Sequence, residues 1–376
     1  MPAISPTERK RMTIEKADIL NFKNISEAAL DFSPGVNCLL GSNGMGKSNL
    51  LEAIHFLCIA RPMTSLPEAG LIRHGESLMS IQATFLMDNT SSEKVSIGIV
   101  KGKGKSLKRN GKEYERLSQH IGMFPIVSVT PADSELVSGP AQERRRMTDM
   151  VISQADPTYL SQLIRYNRSL ETRNSLLRAG EKDPLLYESV ENVMAEAAAT
   201  VSRQRRRWVE EMQPRVAANY SEIAGSAEEL FMSYRSALNE ATMHEILNRN
   251  RAKDLALGYT SSGIHRDDII TELNGYSLKS YGSQGQVKSF TIAMRLAIFS
   301  YLKQTGGETP LLLLDDIFDK LDSSRVGRIM KLVSRTNEFG QIFITDTNRE
   351  HLDETLASLE GPKQMISVDS GRFSIL

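Results

Sequence analysis

The chain has 376 residues, and its 46 Lys and Arg balance 46 Asp and Glu. With a formal charge of zero, any basic surface must be local, which excludes a wholly basic, histone-like binder. Its 40% hydrophobic and 24% charged residues and mean hydropathy of −0.29 exclude a disordered or fibrous chain, and at ~150 residues per domain the length suggests two or three folding units.

Residues 1–11 read as a polar tail without the apolar core of a secretion signal, and Met12 is an alternative start. No run approaches the ~18 apolar residues of a membrane span, so no membrane partner and a cytoplasmic location are expected. Short apolar runs at 19–22, 29–32 and 36–40, broken by Asn, Ser, Pro and Gly, predict strands, and 48–60 reads as a helix. The runs 78–85 and 94–100, with a hairpin turn at Asn110-Gly111, predict an antiparallel subsheet. A strand at 125–129 is followed by Leu-, Ala-, Glu- and Arg-rich helical stretches at 159–178 and 185–212. Strand character returns at 268–273, 311–314, 341–345 and 365–368. Cys38 and Cys58 both sit in apolar runs and read as buried thiols; no disulfide framework or zinc site is available.

Gly41-Ser42-Asn43-Gly44-Met45-Gly46-Lys47-Ser48 fits G-x-x-x-x-G-K-[ST] between a strand-like and a helical run. Glycines let the loop's N–H groups approach phosphate oxygens, and the following helix adds its N-terminal dipole. Lys47 is expected to neutralise the β- and γ-phosphates of ATP and Ser48 to ligate Mg²⁺. The run Pro310 to Leu314 ends in Asp315-Asp316, at the strand edge where ligands of parallel sheets bind. Asp315 is the candidate for holding Mg²⁺ through water, and Asp316 for orienting the attacking water. Between them, Ser283-Gln284-Gly285-Gln286 opens a stretch with Val287, Phe290, Met294, Ala297 and Tyr301 at helical spacing. Ser283, Gly285 and Gln286 are candidate nucleotide contacts.

The order of phosphate loop, signature, aspartate strand and Asp319-Lys320-Leu321-Asp322 is similar to that of ATP-binding-cassette ATPases. That resemblance implies a signature facing the γ-phosphate held by a second protomer, so that dimerisation is linked to ATP.

Several segments more specifically resemble the RecF family of bacterial DNA replication and repair ATPases, from about Ile14 to the end. They are Leu20-Asn21-Phe22-Lys23-Asn24, Gly35-Val36-Asn37 and the phosphate loop with Asn49-Leu50-Leu51-Glu52. Ser138-Gly139-Pro140, Arg144-Arg145-Arg146 with Asp149, Tyr166-Asn167-Arg168, and Arg173-Asn174 follow. Gly263-Ile264-His265-Arg266-Asp267-Asp268, Ser283-Gln284-Gly285-Gln286 and Asp315-Asp316 complete the set. The resemblance implies an α/β fold: an ABC-type P-loop ATPase head with an antiparallel β subdomain and an inserted helical arm. The domains are then expected at 1–150 (first part of the head), 151–245 (arm) and 246–376 (remainder of the head with signature and aspartate strand). It further implies ATP-driven dimerisation on single-strand-gapped or duplex DNA to help load recombinase, slow ATP hydrolysis as release, and RecR-like and RecO-like partners.

Three departures from the family pattern stand out, and two further contrasts are with cassette ATPases at large. Met45 replaces a polar residue in a loop that works through its backbone. Lys23 keeps a charge but loses the fork of arginine. Arg61-Pro62-Met63-Thr64 matches only loosely and is assigned no role. Asp316 is one methylene shorter than the Glu of many cassette ATPases, which predicts slow turnover, because a base must come within about 3 Å of its water or act through another. Thr345-Asp346-Thr347 stands where transporters place a histidine, which argues against a transporter subunit.

Basic clusters at 101–112, Arg144-Arg145-Arg146 and Arg203-Gln204-Arg205-Arg206-Arg207 are candidate DNA contacts without an aromatic ladder, alongside the alternatives of solvated faces and, for Arg145 and Arg146, ties between arm and head. His265-Arg266-Asp267-Asp268 reads as an ion-paired loop without chemistry. A non-hydrolysing, ATP-gated clamp or adaptor is the competing function, with a transporter ATPase subunit below it. A chromosome-structure ATPase with long coiled coils ranks low as well, since about a hundred inserted residues, even as two fully helical halves, make arms of only ~75 Å.

Overall fold

The computed structural model describes residues 10–63, 67–88, 91–225, 228–317, 322–333, 339–358 and 360–376. The chain divides into two units, the first made of Met1–Asp133 with Ile298–Leu376 and the second of Ser134–Ala297.

In the first unit, a six-stranded sheet is built around short, buried apolar runs. Its order is Arg372–Ile375, Lys363–Asp369, Val36–Leu40, Ile342–Asp346, Leu311–Leu314 and Ile126–Val129, parallel except for the antiparallel pair Lys363–Asp369 and Arg372–Ile375. All four residues of Leu311–Leu314 and all five of Ile342–Asp346 are buried, as a covered parallel sheet requires. The expected antiparallel subsheet is a seven-stranded sheet, with Lys10–Phe22 paired to Leu78–Met87 and onward to Ser91–Val100 and Gly104–Arg109. Its strands alternate buried and open residues, so one face packs inward. Asn110-Gly111, both at positive φ, make the predicted hairpin turn.

The helix Lys47–Ile59 is apolar nearly all round and is buried at eleven of its thirteen positions. Both thiols are buried, as expected, and burial pushes Cys38 up to about 12. His120 is fully buried in the same unit, where Nε2–H donates to the Leu57 carbonyl at 2.8 Å and Nδ1 lies 3.2 Å from the Tyr114 hydroxyl. Burial depresses its pKa from 6.5 to about 4. The unfolded chain therefore binds a proton here below pH 6.5 that the folded chain refuses until about pH 4. The ring's contribution is present above pH 6.5 and declines as pH falls, by about 3 kcal/mol at pH 4. Urea unfolding of His120→Gln is expected to show that much less acid dependence than the parent between pH 7 and pH 4; equal slopes would contradict it.

The second unit departs from the expected domains. Its long helices are Ala141–Ala155, Pro157–Ala179, Pro184–Ala224 and Met243–Leu257, and it also contains the first part of Gln284–Thr305. Asp156 and Asp183 cap the second and third with Pro in the first turn, and Gly180 and Gly225 end them in left-handed conformation. Yet the segment expected to be a helical arm at 151–245 contains the strand Leu230–Arg235, which pairs with Asp268–Leu273. The latter strand, expected in the head, thus belongs to a three-stranded sheet with Leu230–Arg235 and Tyr276–Ser277. The reason is local: after the stop at Gly225, Leu230 and Met232 are buried and Phe231 is exposed, a period of two.

This unit is held by buried ion pairs. Arg173, fully buried, reaches Glu191 at 2.8 Å, Asp254 at 2.8 Å and the Thr260 hydroxyl at 2.8 Å. Arg205 bridges Asp149 and Asp267 and donates to the Ile264 carbonyl. Among the described residues no helix is long and apolar enough to cross a membrane.

Candidate nucleotide-binding site

The strand Val36–Leu40 runs into the loop 41–46, and the helix Lys47–Ile59 leaves it. Two glycines take conformations that a side chain would strain: φ is +80° at Gly44 and +117° at Gly46. Gly41 is required differently, since a Cβ there would lie 2.3 Å from the Val368 carbonyl oxygen of the neighbouring strand. The helix has no side-chain cap and no acidic residue in its first turn, which leaves its leading N–H groups available to an anion. Lys47 is buried, its ammonium donating to the carbonyls of Gly41 at 2.7 Å and Ser42 at 3.2 Å. Ser42, Asn43 and Gly44 of the loop are exposed.

The aspartate strand lies one strand away, with Ile342–Asp346 between. Across that gap the Ser48 hydroxyl donates to Asp315 Oδ1 at 2.9 Å, joining residues 267 apart in sequence. Thr345, at the end of the intervening strand, donates to the same oxygen at 2.8 Å and accepts from the Asp316 N–H at 2.9 Å. Burial raises the Asp315 pKa, opposed by the hydrogen bonds from Thr345 and Ser48. Asp316 is at φ +44° and is less buried. Sequence reading treated Thr345 only as a replaced histidine; its hydroxyl at the end of a central strand was the available signal.

A second missed group is Asn24, in the turn between Lys10–Phe22 and Ile25–Asp31. Its Nδ2 donates to the Met45 carbonyl at 3.2 Å, and its Oδ1 accepts from Asn49 at 2.7 Å. Lys23 beside it is ion-paired with Glu52.

The signature residues belong to the second unit. Ser283 and Gln286 cap the helix Gln284–Thr305 reciprocally: Gln286 N–H donates to Ser283 Oγ at 3.2 Å and Ser283 N–H to Gln286 Oε1 at 2.8 Å. The Gln286 amide also donates to Glu228 at 2.6 Å. Ser283 and Gly285 are accessible at this helix start. Of the expected loop Asp319-Lys320-Leu321-Asp322, the first three residues lie outside the described residues.

The basic clusters separate by burial. Arg144 forms a bidentate pair with Asp268 at 2.7 and 3.0 Å, and Arg145 donates to the Asp267 carbonyl at 2.6 Å. With Arg205 buried, these arginines are structural within the second unit. Arg203, Arg206 and Arg207 are exposed, as are Lys101, Lys103, Lys108 and Lys112, whereas Lys105 and Arg109 pair with Glu68 and Glu93. The loop His265-Arg266-Asp267-Asp268 is ion-paired as expected, through Asp267 to Arg205 and Asp268 to Arg144, while His265 itself is hydrogen-bonded: Nε2–H donates to the Thr260 carbonyl at 3.0 Å and Nδ1 accepts from the Tyr166 hydroxyl at 2.6 Å. Burial lowers its pKa to about 4, which keeps it neutral.

Ser48 and Asp315 present adjacent hard oxygens, the donor type that Mg²⁺ takes. Among the described residues no group of three or more His, Cys, Asp or Glu side chains forms a metal cage. The donor set thus fits an ion completed by phosphate oxygens and water.

The family model described as the RecF/RecN/SMC N terminal domain matches residues 13–368. A Porphyromonas gingivalis protein named DNA replication and repair protein RecF is 46% identical over 96% of this chain and 100% of its own length. The chain belongs to the RecF family. A RecF of Parabacteroides distasonis is 44% identical, over 96% of this chain and 98% of its own. Among solved structures, the recombination mediator protein RecF-ATP in the RecFOR pathway superposes with a TM-score of 0.88 at 28% identity, covering 98% of this chain and 99% of that one. A Pyrococcus furiosus Smc head, at 15% identity and TM-score 0.58 over 97% of this chain and 96% of that one, shares the fold. The RecF fold is therefore the ABC-type head with its antiparallel sheet and long helices.

Proposed function

We propose that this RecF-family chain is an ATP-dependent DNA-binding protein of DNA replication and recombinational repair. The observation that carries the reading is the Ser48 to Asp315 hydrogen bond, which sets two Mg²⁺-type ligands beside a phosphate loop. The names of the relatives, and the ATP in the related structure, supply the process and the nucleotide.

In this reading Lys47 and the N–H groups of 41–48 hold the phosphates of ATP, and Ser48 and Asp315 hold Mg²⁺, which supplies charge neutralisation at the phosphates when bound. Ser283, Gly285 and Gln286 of one protomer meet the γ-phosphate held by a second. A homodimer closes on single-strand-gapped or duplex DNA and helps recombinase to load, with RecR-like and RecO-like mediators as partners. The exposed lysines of 101–112 and Arg203, Arg206 and Arg207 offer phosphate contacts whose strength falls steeply with salt. The second unit serves as the arm.

Slow hydrolysis, with Asp316 orienting water, resets the dimer. A clamp that does not hydrolyse is the second reading; the short Asp316 side chain, tethered through its backbone to Thr345, favours it.

Light-scattering mass with and without ATP and Mg²⁺ tests the switch. The parent is expected to double in mass with ATP, and Ser283→Arg, which sets a bulky cation at the helix start, to stay monomeric. Mass unchanged by ATP in the parent overturns the ATP-driven dimer.

A further inference from the structure

The motif Asn21-Phe22-Lys23-Asn24 takes no part in the nucleotide reading as it stands. Its charge is not offered to a phosphate, because Lys23 is committed to Glu52 on the helix that follows the loop. Its amide is instead turned toward the back of the phosphate loop. We infer that Asn24 is a positioning residue for that loop: it fixes the Met45–Gly46 peptide so that the Gly46 N–H points to where phosphate binds.

A trans peptide is planar, with its C=O and the following N–H pointing in opposite directions. Pinning the Met45 carbonyl from behind therefore orients the Gly46 N–H forward. The carbonyl is pinned twice, by Asn24 Nδ2 at 3.2 Å and by the Gly371 N–H at 2.7 Å from the turn of the C-terminal hairpin. Asn24 Nδ2 also lies 3.5 Å from the Gly44 carbonyl, at the limit of a hydrogen bond. Which end of the carboxamide faces the loop is set by Asn49, whose amide donates to Asn24 Oδ1 at 2.7 Å. Gly46 completes the fit. It is at φ +117°, and a Cβ on it would stand 2.9 Å from Asn24 Oδ1, so the asparagine occupies the space that only glycine leaves. A phosphate loop acts through preorganised N–H groups, and a peptide free to rotate spends binding energy on being ordered.

The inference rests on the nucleotide reading, and one set of titrations separates the two. Fluorescent methylanthraniloyl-ATP with Mg²⁺ is titrated into the full chain, and the unfolding midpoint is measured without nucleotide. Asn24→Ala is expected to bind about five- to tenfold more weakly, with little change in that midpoint. Asn24→Asp, which sets acceptor against acceptor and a negative charge near the phosphates, is expected to lose about another tenfold. Asn49→Ala releases the carboxamide to turn and is expected to weaken binding about threefold; combined with Asn24→Ala it adds nothing beyond the Asn24→Ala loss. Parent affinity in Asn24→Ala, or fully additive losses in the double variant, overturns the positioning role. So does a loss that only follows a falling midpoint and vanishes at lower temperature. If Asn24→Ala does not fold, parent affinity in Asn49→Ala overturns it. Failure of the parent to bind the probe overturns the nucleotide reading, and this inference with it.

Discussion

Lys47→Ala is expected to weaken ATP binding at least ~100-fold, because a buried cation with charge-assisted bonds to phosphate is removed from a site it cannot share with water. Two features of its surroundings make the loss large. The ammonium is buried and already lies across the loop, donating to the carbonyls of Gly41 and Ser42. Alanine deprives those carbonyls of their donor as well as the phosphates of their counter-charge. The helix itself, apolar and packed against strands of both sheets of its unit, keeps its other contacts. Titration calorimetry with ATP and Mg²⁺ on a variant that retains its unfolding midpoint reads the effect directly. Affinity equal to the parent's would remove the loop from the nucleotide site altogether.

Arg173→Ala is the substitution expected to cost most in stability, about 3–5 kcal/mol in the second unit. Glu191 and Asp254 are both buried, and among the described residues Glu191 alone pairs with a second cation, Arg251 at 2.7 Å. Asp254 keeps hydrogen bonds from the Ser261 N–H and hydroxyl but loses its ionic partner. The sign follows from desolvation: a buried pair taken whole is of little net benefit, whereas half of it left behind is an uncompensated charge. Arg173→Met combined with Asp254→Asn is accordingly expected to recover a substantial part of the loss. Urea unfolding of the three proteins measures it, and equal stability of Arg173→Ala and the parent would contradict the argument.

What was legible in the sequence was whatever is decided within a dozen residues. The runs 36–40 and 311–314 announce buried strands by their apolar continuity, and the glycines or aspartates that end them mark the ligand edge. Composition placed helices at 159–178 and 185–212, and the Asp-Pro caps at 156–157 and 183–184, which need no distant partner, set their true starts at Pro157 and Pro184. The strand Leu230–Arg235 was overshadowed by the 41-residue helix before it, because its six residues weigh little in a helical composition. Arginines were harder. Arg144 and Arg205 look like phosphate-seeking surface until Asp268, 124 residues away, and Asp267, 62 residues away, are brought against them. Asn24 and Thr345 act through hydrogen bonds to the Met45 carbonyl and the Asp315 carboxylate, partners 21 and 30 residues away in sequence.

The strand that feeds the phosphate loop has a consequence for the order of synthesis. Val36–Leu40 pairs on one side with Ile342–Asp346 and on the other with Lys363–Asp369, both made about three hundred residues later. At ~5–20 residues per second, a ribosome leaves that strand without a neighbour for roughly 15–60 s. Within that interval the segment Ser134–Ala297, whose three-stranded sheet and described ion pairs are internal to it, is completed before its flanking halves can join. A nascent chain would then acquire its arm first and its capacity for nucleotide last, and an apolar strand waiting that long is the part of the molecule most in need of a chaperone.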